Sequence, residues 1–259
     1  MAEGQRVSVV TGASQGIGRV IATTLALRGD AVVLAARNEA NLEQVAAEID
    51  RAGGTCLVAP ADVTDLAGVE AMVAATVDRF GRLDVVVANS GIGGASGVLW
   101  EADPQQWRNT LDVNVMGVFH TLRAGVPAMI EAGGGSAVVI GSISGKRPLY
   151  GRSSYTASKL ALVGLVRTLA LEAGPHGIRV NLVSPGFVTG PRIDWVVAAQ
   201  AQARAVSEAE VRAEFERQSP LGRLTEAADV ADAVRYLTSD AAAAVTGEDL
   251  NVNAGVVMY

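Results

Sequence analysis

Cysteine is almost absent from this chain of 259 residues; Cys56 stands alone, so no intramolecular disulfide can close. His120 and His176 are the only histidines. A zinc site of the usual Cys/His type therefore has too few ligands, and no metal is expected. Phe, Trp and Tyr make up 4% of the sequence. The interior must then be built from Ala, Val, Leu and Ile, a diet that suits a buried parallel sheet under Ala-rich helices. No Lys/Arg-rich run gathers the 21 basic residues, and the formal charge is −6, so a nucleic-acid partner is not expected. No apolar run reaches spanning length. Met1 leads through the polar Glu3-Gly4-Gln5-Arg6 straight into Val7-Ser8-Val9-Val10. Neither a membrane segment nor a secretory leader is expected, and the anticipated setting is a reducing cytoplasm.

What the chain does have is alternation. Short β-branched runs at about 6–11, 31–36, 55–60, 83–88, 136–141, 178–184 and 247–252 alternate with longer Ala/Leu-rich helical stretches. This is the pattern of repeated βαβ units, and it predicts an α/β protein: a Rossmann-type, doubly wound parallel sheet of seven strands with helices on both faces. Right-handed crossovers put the ligand crevice at the carboxyl ends of the strands. No linker divides the chain, so residues 1–259 are expected to form one domain. Segment 190–220, rich in Ala, Gln, Glu and Arg, reads as one or two inserted amphipathic helices. Its place after the sixth strand suggests a lid over the crevice or, alternatively, an ordinary solvated surface.

Directly after the first strand comes Thr11-Gly12-Ala13-Ser14-Gln15-Gly16-Ile17-Gly18. Glycines there let the backbone turn tightly and approach a pyrophosphate seated at the positive end of the next helix. The spacing Gly-x-x-x-Gly-x-Gly is neither the G-x-G-x-x-G fingerprint nor a Walker loop. The second strand ends Leu34-Ala35-Ala36-Arg37-Asn38, without the acid that usually holds a ribose 2′-hydroxyl. Arg37 offers a forked donor suited to a 2′-phosphate, so NADP(H) is favoured and NAD(H) is the alternative; the bland reading is a solvated arginine at a turn. Asp62, beside Val63, can accept from an adenine amino group, and Asn89, before Ser90-Gly91, can tie neighbouring strands together above the cofactor. Either can equally be an Asx turn.

The most informative stretch is Ser153-Ser154-Tyr155-Thr156-Ala157-Ser158-Lys159, at the head of a helix running to about residue 173. Tyr155 and Lys159, four apart, share a helix face. A phenol is a poor base at neutral pH, but a neighbouring ammonium favours its anion and makes it a usable general acid or base. Upstream, Ser142 closes the fifth strand, where a hydroxyl points into the crevice.

In this order of motifs the chain resembles the short-chain dehydrogenase/reductase family, over residues 6 to about 255. The resemblance rests on the glycine turn, Asp62-Val63, Asn89-Ser90-Gly91, Asn114 within Leu111-Asp112-Val113-Asn114-Val115, Ser142, Tyr155 with Lys159, and Arg179-Val180-Asn181 before Ser184-Pro185-Gly186. It implies a tetrad of Asn114, Ser142, Tyr155 and Lys159. In it Tyr155 exchanges the proton with the substrate oxygen, which Ser142 steadies; Lys159 holds the nicotinamide ribose, and the Asn114 backbone holds a relay water. It also implies cofactor contacts from Gly12, Ser14, Gln15, Gly16, Ile17, Gly18, Asn89, Gly91, Pro185, Gly186 and the backbone of Val188. Three departures stand out. Ser90 replaces a common alanine; the usual threonine after Pro185-Gly186 falls at Gly190, with Thr189 one place early; and Asn251-Val252-Asn253-Ala254-Gly255 replaces an Asp-Gly-Gly ending.

The expected reaction is hydride transfer between NAD(P)(H) and a carbonyl or secondary alcohol. A non-catalytic NADP(H)-binding sensor or partner-binding module on the same fold is the rival. An epimerase or dehydratase is a further one, though such relatives usually carry a larger C-terminal domain. Lys146, Arg147, Arg152 and Arg192 can surround an anionic substrate group such as a carboxylate, sulfonate or phosphate, or be solvated charges on crevice loops or subunit contacts. Trp100, Leu149, Phe187 and Trp195 can line a pocket or be core. The resemblance further implies a homotetramer or homodimer through helices at about 104–132 and 153–174. The second of these carries Leu160, Leu162, Val163, Leu165, Val166, Leu169 and Leu171, more apolar surface than one core-facing stripe requires.

Overall fold

A computed structural model describes residues 4–259. Its elements in chain order are β1 (Val7–Thr11), α1 (Gly16–Leu27), β2 (Ala31–Ala35), α2 (Glu39–Arg51), β3 (Thr55–Val58), α3 (Leu66–Phe80), β4 (Val85–Ala88), α4 (Pro104–Leu111), α5 (Gly117–Glu131), β5 (Gly135–Ile140), α6 (Ser153–Ala173), β6 (Ile178–Pro185), α7 (Pro191–Arg204), α8 (Glu208–Arg217), α9 (Ala227–Leu237) and β7 (Asp249–Val252). The sheet is parallel throughout, in the order β3-β2-β1-β4-β5-β6-β7. Each expected strand is present, with ends shifted by no more than two residues.

The five inner strands are buried on both faces, β3 and β7 at the edges only partly, and their side chains sort by the period of two that pleating imposes. Val7, Val9, Val86, Ala137 and Val139 face a core closed by Val69 and Met72 of α3, Val118 and Leu122 of α5, and Leu162 and Val166 of α6. Val10, Val85, Val87, Val138 and Ile140 face the opposite core, closed by Ile21 and Leu25 of α1, Leu42 and Val45 of α2, and Val230 and Val234 of α9. Burying each such side chain contributes about 1.5–3 kcal/mol. The strand order reverses between β1 and β4, so the crevice opens at their carboxyl ends, where the glycine turn and the Asn89 loop emerge.

The helix expected at about 104–132 is not one regular α-helix. Residues Asp112–Met116 form a π turn between α4 and α5. A π turn widens the helix by one residue per turn and is found chiefly where a side chain is held for a purpose; here Asn114, at its centre, is fully buried and bonded to two other segments. Segment 190–220 forms two helices, α7 and α8. They pack on a small separate core of Phe187, Ile193, Val197, Val211, Phe215 and Leu224, in which the Phe187 and Phe215 rings stack with centroids 4.0 Å apart.

Candidate active site

The glycine turn is tight because two backbones meet in it. A Cβ on Gly18 would lie 2.1 Å from the Gly12 carbonyl oxygen and 2.4 Å from Asn89 Nδ2, so no side chain fits there. Gly12 and Gly16 both take positive φ, at 66° and 55°, a conformation that glycine adopts without cost. Gln15 caps α1 without a side-chain hydrogen bond, and no acid stands in the first turn. The helix therefore presents unspent N–H groups and its positive pole to the crevice, with Ser14 beside them, and these features fit a dinucleotide pyrophosphate.

Asn89 does tie strands together: its Nδ2 donates to the Thr11 carbonyl at 2.9 Å, while the Thr11 hydroxyl accepts from Asn89 N–H at 3.1 Å and Ser90 N–H at 3.2 Å. Thr11, which sequence reasoning missed, is thus the hub of this corner. Asp62 closes an Asx turn, its Oδ1 accepting from the Thr64 N–H and hydroxyl at 2.9 and 2.8 Å. Hydrogen bonding from the Thr64 backbone outweighs partial burial, so the Asp62 carboxyl stays below its usual value, with Arg37 assisting. The Arg37 guanidinium is largely exposed, and its ion pair with Asp62 is long, at 3.9 Å. Val63 is buried, and its carbonyl faces His120 Nδ1 at 2.9 Å.

At the other end of the crevice, β5 delivers Ser142 and α6 delivers Tyr155 and Lys159. The Ser142 oxygen accepts from the Ser144 N–H at 3.1 Å, which leaves its O–H to donate, and it does so toward the Tyr155 phenol. Lys159 is buried and donates from Nζ to the Ile140 carbonyl at 2.8 Å. Its Nζ lies 5.9 Å from the centroid of the Tyr155 ring. Burial pushes the Tyr155 phenol up, but Lys159, Arg192, the Ser142 hydroxyl and Arg152 together outweigh it, and the phenol ends below the ordinary tyrosine value. Burial also lowers the Lys159 ammonium, with Tyr155 opposing.

Asn114 joins this group through its side chain. Its Oδ1 accepts from Ile92 N–H at 2.8 Å, and its Nδ2 donates to the Ile92 carbonyl and to Ser158 Oγ, both at 3.0 Å. Ser158 in turn donates to the Tyr155 carbonyl at 2.7 Å. Ser158 escaped notice in the sequence, although it sits one residue before Lys159. The structure thus brings Asn114, Ser142, Tyr155 and Lys159 to one place, with Gly91 against them; a Cβ there would lie 3.2 Å from Asn114 Oδ1 and 3.5 Å from Lys159 Nζ.

Beyond Pro185, Gly186 passes so close to Asn253 that a Cβ would meet it at 2.8 Å. Val188 forms a parallel bridge with Thr225 that uses the Phe187 carbonyl and the Thr189 N–H, so the N–H and C=O of Val188 itself point the other way. The unusual C-terminal ending still turns: Asn253 Oδ1 accepts from Gly255 N–H at 2.9 Å, and Nδ2 donates to the Val257 carbonyl at 3.0 Å. The four candidate pocket residues part company. Phe187 is core, Leu149 packs beside that core, Trp100 is exposed, and Trp195 lies beside the site.

A family model described as enoyl-(acyl carrier protein) reductase matches residues 12–257. The chain is 37% identical over 253 residues to the 3-oxoacyl-[acyl-carrier-protein] reductase FabG of Escherichia coli (strain K12), covering 98% of each. Among solved structures it is similar to a variant of actinorhodin polyketide ketoreductase with NADPH, at TM-score 0.95 and 36% identity, covering 100% of this chain and 99% of that one. It is also similar to NAD+-bound xylitol dehydrogenase, at TM-score 0.94 and 29% identity, covering 96% and 98%. The chain belongs to the short-chain dehydrogenase/reductase family and is an NAD(P)-dependent oxidoreductase that moves a hydride between the cofactor and a carbonyl or alcohol carbon of a small molecule.

Proposed function

We propose that Tyr155 is the proton donor and acceptor of this reaction, working with Ser142, Lys159 and Asn114. The observation that carries the reading is the buried Lys159 ammonium, anchored to Ile140 and facing a phenol whose acidity it raises. In the reducing direction Tyr155 gives its proton to the substrate oxygen, and in the oxidising direction it takes one away. The O–H of Ser142 donates to that same oxygen and holds it toward the phenol. Asn114 positions Tyr155 through Ser158, and its π turn leaves backbone available to a relay water. When bound, the nicotinamide supplies the hydride to the carbonyl carbon or accepts it from the alcohol.

The cofactor would be held by Gly12, Ser14, Gln15, Gly16, Ile17 and Gly18 at the pyrophosphate, by Asp62 and Val63 at the adenine, and by Asn89, Gly91, Tyr155, Lys159, Pro185, Gly186 and Val188 toward the nicotinamide. A side-chain-free Gly18 and the uncapped start of α1 support this placement. NADP(H) is the preferred form in this reading, since Arg37 stands exposed with only a long ion pair to restrain it. The described residues 4–259 act as one domain, with α7 and α8 as its lid; positions 1–3 of the expected span lie outside the described residues. Leu160 and Leu171 of α6 and Phe119 of α5 are exposed, which supports a homotetramer or homodimer assembled on those helices. No helix among the described residues is long and apolar enough to cross a membrane, and a cytoplasmic setting fits the single reduced cysteine.

The test is Tyr155→Phe, assayed with NADPH or NADP+ across a panel of carbonyls and alcohols. The expected fall in kcat/KM is roughly a hundred- to ten-thousandfold, with NADPH affinity by fluorescence titration changed far less. Undiminished turnover in that variant would remove Tyr155 from the mechanism.

A further inference from the structure

Four basic side chains lie along the loop and lid around Tyr155, and the structure separates them into two pairs. Lys146 is spent: its Nζ pairs with Asp249 at 2.9 Å and donates to Asn251 Oδ1 at 2.6 Å. Arg147 is engaged as well, donating to Gln218 Oε1 at 2.8 Å. Arg152 and Arg192 are bonded to neither a carboxylate nor a side-chain amide, only to Ser96 Oγ and to the Gly91 carbonyl. Among the described residues no ion pair involves either of them.

Arg152 is the unusual one, because only 5% of it is exposed. A guanidinium carries five N–H donors in a fixed fork, and here it has one recorded bond, a 3.4 Å contact from Nη1 to Ser96 Oγ. Buried arginines are ordinarily paired with carboxylates, since an unpaired charge loses its hydration for nothing. This one is instead held between aromatic rings, its Cζ 5.1 Å from the centroid of Tyr155 and 4.9 Å from that of Trp195 on α7. The Gly93 backbone runs beside the fork, where a Cβ would stand 3.2 Å from Nη2. Burial pushes the Arg152 guanidinium below its ordinary value, with Tyr155 opposing and Arg192 adding to it; the group nevertheless stays charged at any physiological pH. Arg152 is also the N-cap of α6, which has no side-chain cap and no acid in its first turn, so the helix pole adds to the positive field. Arg192, at the start of α7, donates to the Gly91 carbonyl at 2.6 Å. A second cation thereby overhangs the same opening.

We infer that Arg152, with Arg192 beside it, is the receptor for an anionic group on the substrate, and that the substrate is a short oxo or hydroxy acid carrying a carboxylate or sulfonate. The inference rests on the reading of Tyr155 as proton donor, and deepens it. Because one guanidinium lies against the ring that serves the reacting oxygen, anion and carbonyl must belong to one small molecule and be separated by only a few bonds. The acid group takes no part in bond making. One hydride, which the bound nicotinamide cofactor would supply, and one proton from Tyr155 convert C=O to CH–OH, and the anion leaves unchanged. A cation whose whole purpose was to acidify Tyr155 would need neither an open fork nor a second arginine at the entrance.

Two measurements test this. In a Trp100→Phe/Trp107→Phe background, which leaves Trp195 as sole tryptophan, propane-1-sulfonate is titrated against the fluorescence of Trp195, with butyramide as neutral control. Saturable binding of the sulfonate and none of the amide is expected, weakened at least tenfold by Arg152→Gln. Second, kcat/KM is compared for pyruvate, acetoacetate and levulinate against their amides. Wild type should favour at least one acid tenfold or more over its amide. That ratio should collapse in Arg152→Gln, fall in part in Arg152→Lys, and fall in Arg192→Gln. If Arg152→Gln does not fold, propane-1-sulfonate as a competitive inhibitor of the wild-type enzyme decides the same question. Equal use of acids and amides by the wild type, or failure of the sulfonate to bind or compete, overturns the anion receptor while leaving the oxidoreductase intact. Failure to reduce any oxo compound, charged or neutral, would instead bring down the reading on which it rests.

Discussion

The Lys159 ammonium lies 5.9 Å from the centre of the Tyr155 ring and is tethered at 2.8 Å to the Ile140 carbonyl. That geometry predicts a pH dependence. Burial raises the phenol and the surrounding cations more than reverse it, so Tyr155 titrates below the ordinary tyrosine value. Alcohol oxidation, which needs the phenolate, should rise with pH through that lowered value, and carbonyl reduction, which needs the phenol, should fall. Lys159→Ala removes the main opposing cation and leaves the burial, so the midpoint of the oxidation profile should move to higher pH and turnover should drop at least a hundredfold. A midpoint that stays in place would show that Lys159 does not set the acidity of Tyr155.

Arg37 stands just past the end of β2 with most of its guanidinium in solvent. Arg37→Asp should raise KM for NADPH by roughly tenfold or more, through a lost charge-assisted contact and a new repulsion, and change KM for NADH far less. A wild-type enzyme that uses NADH in clear preference would defeat the cofactor assignment before the variant is made.

Asn114 is fully buried and bonds through both Oδ1 and Nδ2 to Ile92 and Ser158. Asn114→Ala strands a buried N–H and a buried carbonyl, a loss of at least about 2 kcal/mol. Tm should fall by roughly 4–8 °C, and kcat should fall with it as Ser158 and Tyr155 lose their hold. Calorimetry on a variant that melts like the wild type would contradict the network.

Ala205 ends α7 with φ at 53°, a left-handed conformation in which a Cβ is strained and glycine is not. Ala205→Gly should stabilise the protein by about 0.5 kcal/mol after the larger entropy of the unfolded glycine is counted. The expected rise in Tm is about 1–2 °C. A lower Tm would mean that the backbone there carries no strain.

Much of this molecule was written in local pattern. The strands, the turn from Gly12 to Gly18 and the Tyr155/Lys159 face depend on residues within one element or across one turn, where a period of two or a spacing of four has direct geometric meaning. The helix at 104–132 was legible as helix, but its π turn was not, because the cause lies in Asn114 reaching Ile92 and Ser158, respectively 22 and 44 residues away in the chain. Lys146, Arg147, Arg152 and Arg192 looked alike for the same reason. The acceptors that engage Lys146 and Arg147 lie 105 and 71 residues along the chain, at Asn251 and Gln218. A side chain's type and neighbours in sequence are enough to say that it is charged and near a strand end. Whether that charge is already neutralised is decided only when the fold brings distant groups within hydrogen-bonding reach, and for Arg152 it brought two aromatic rings and no acid.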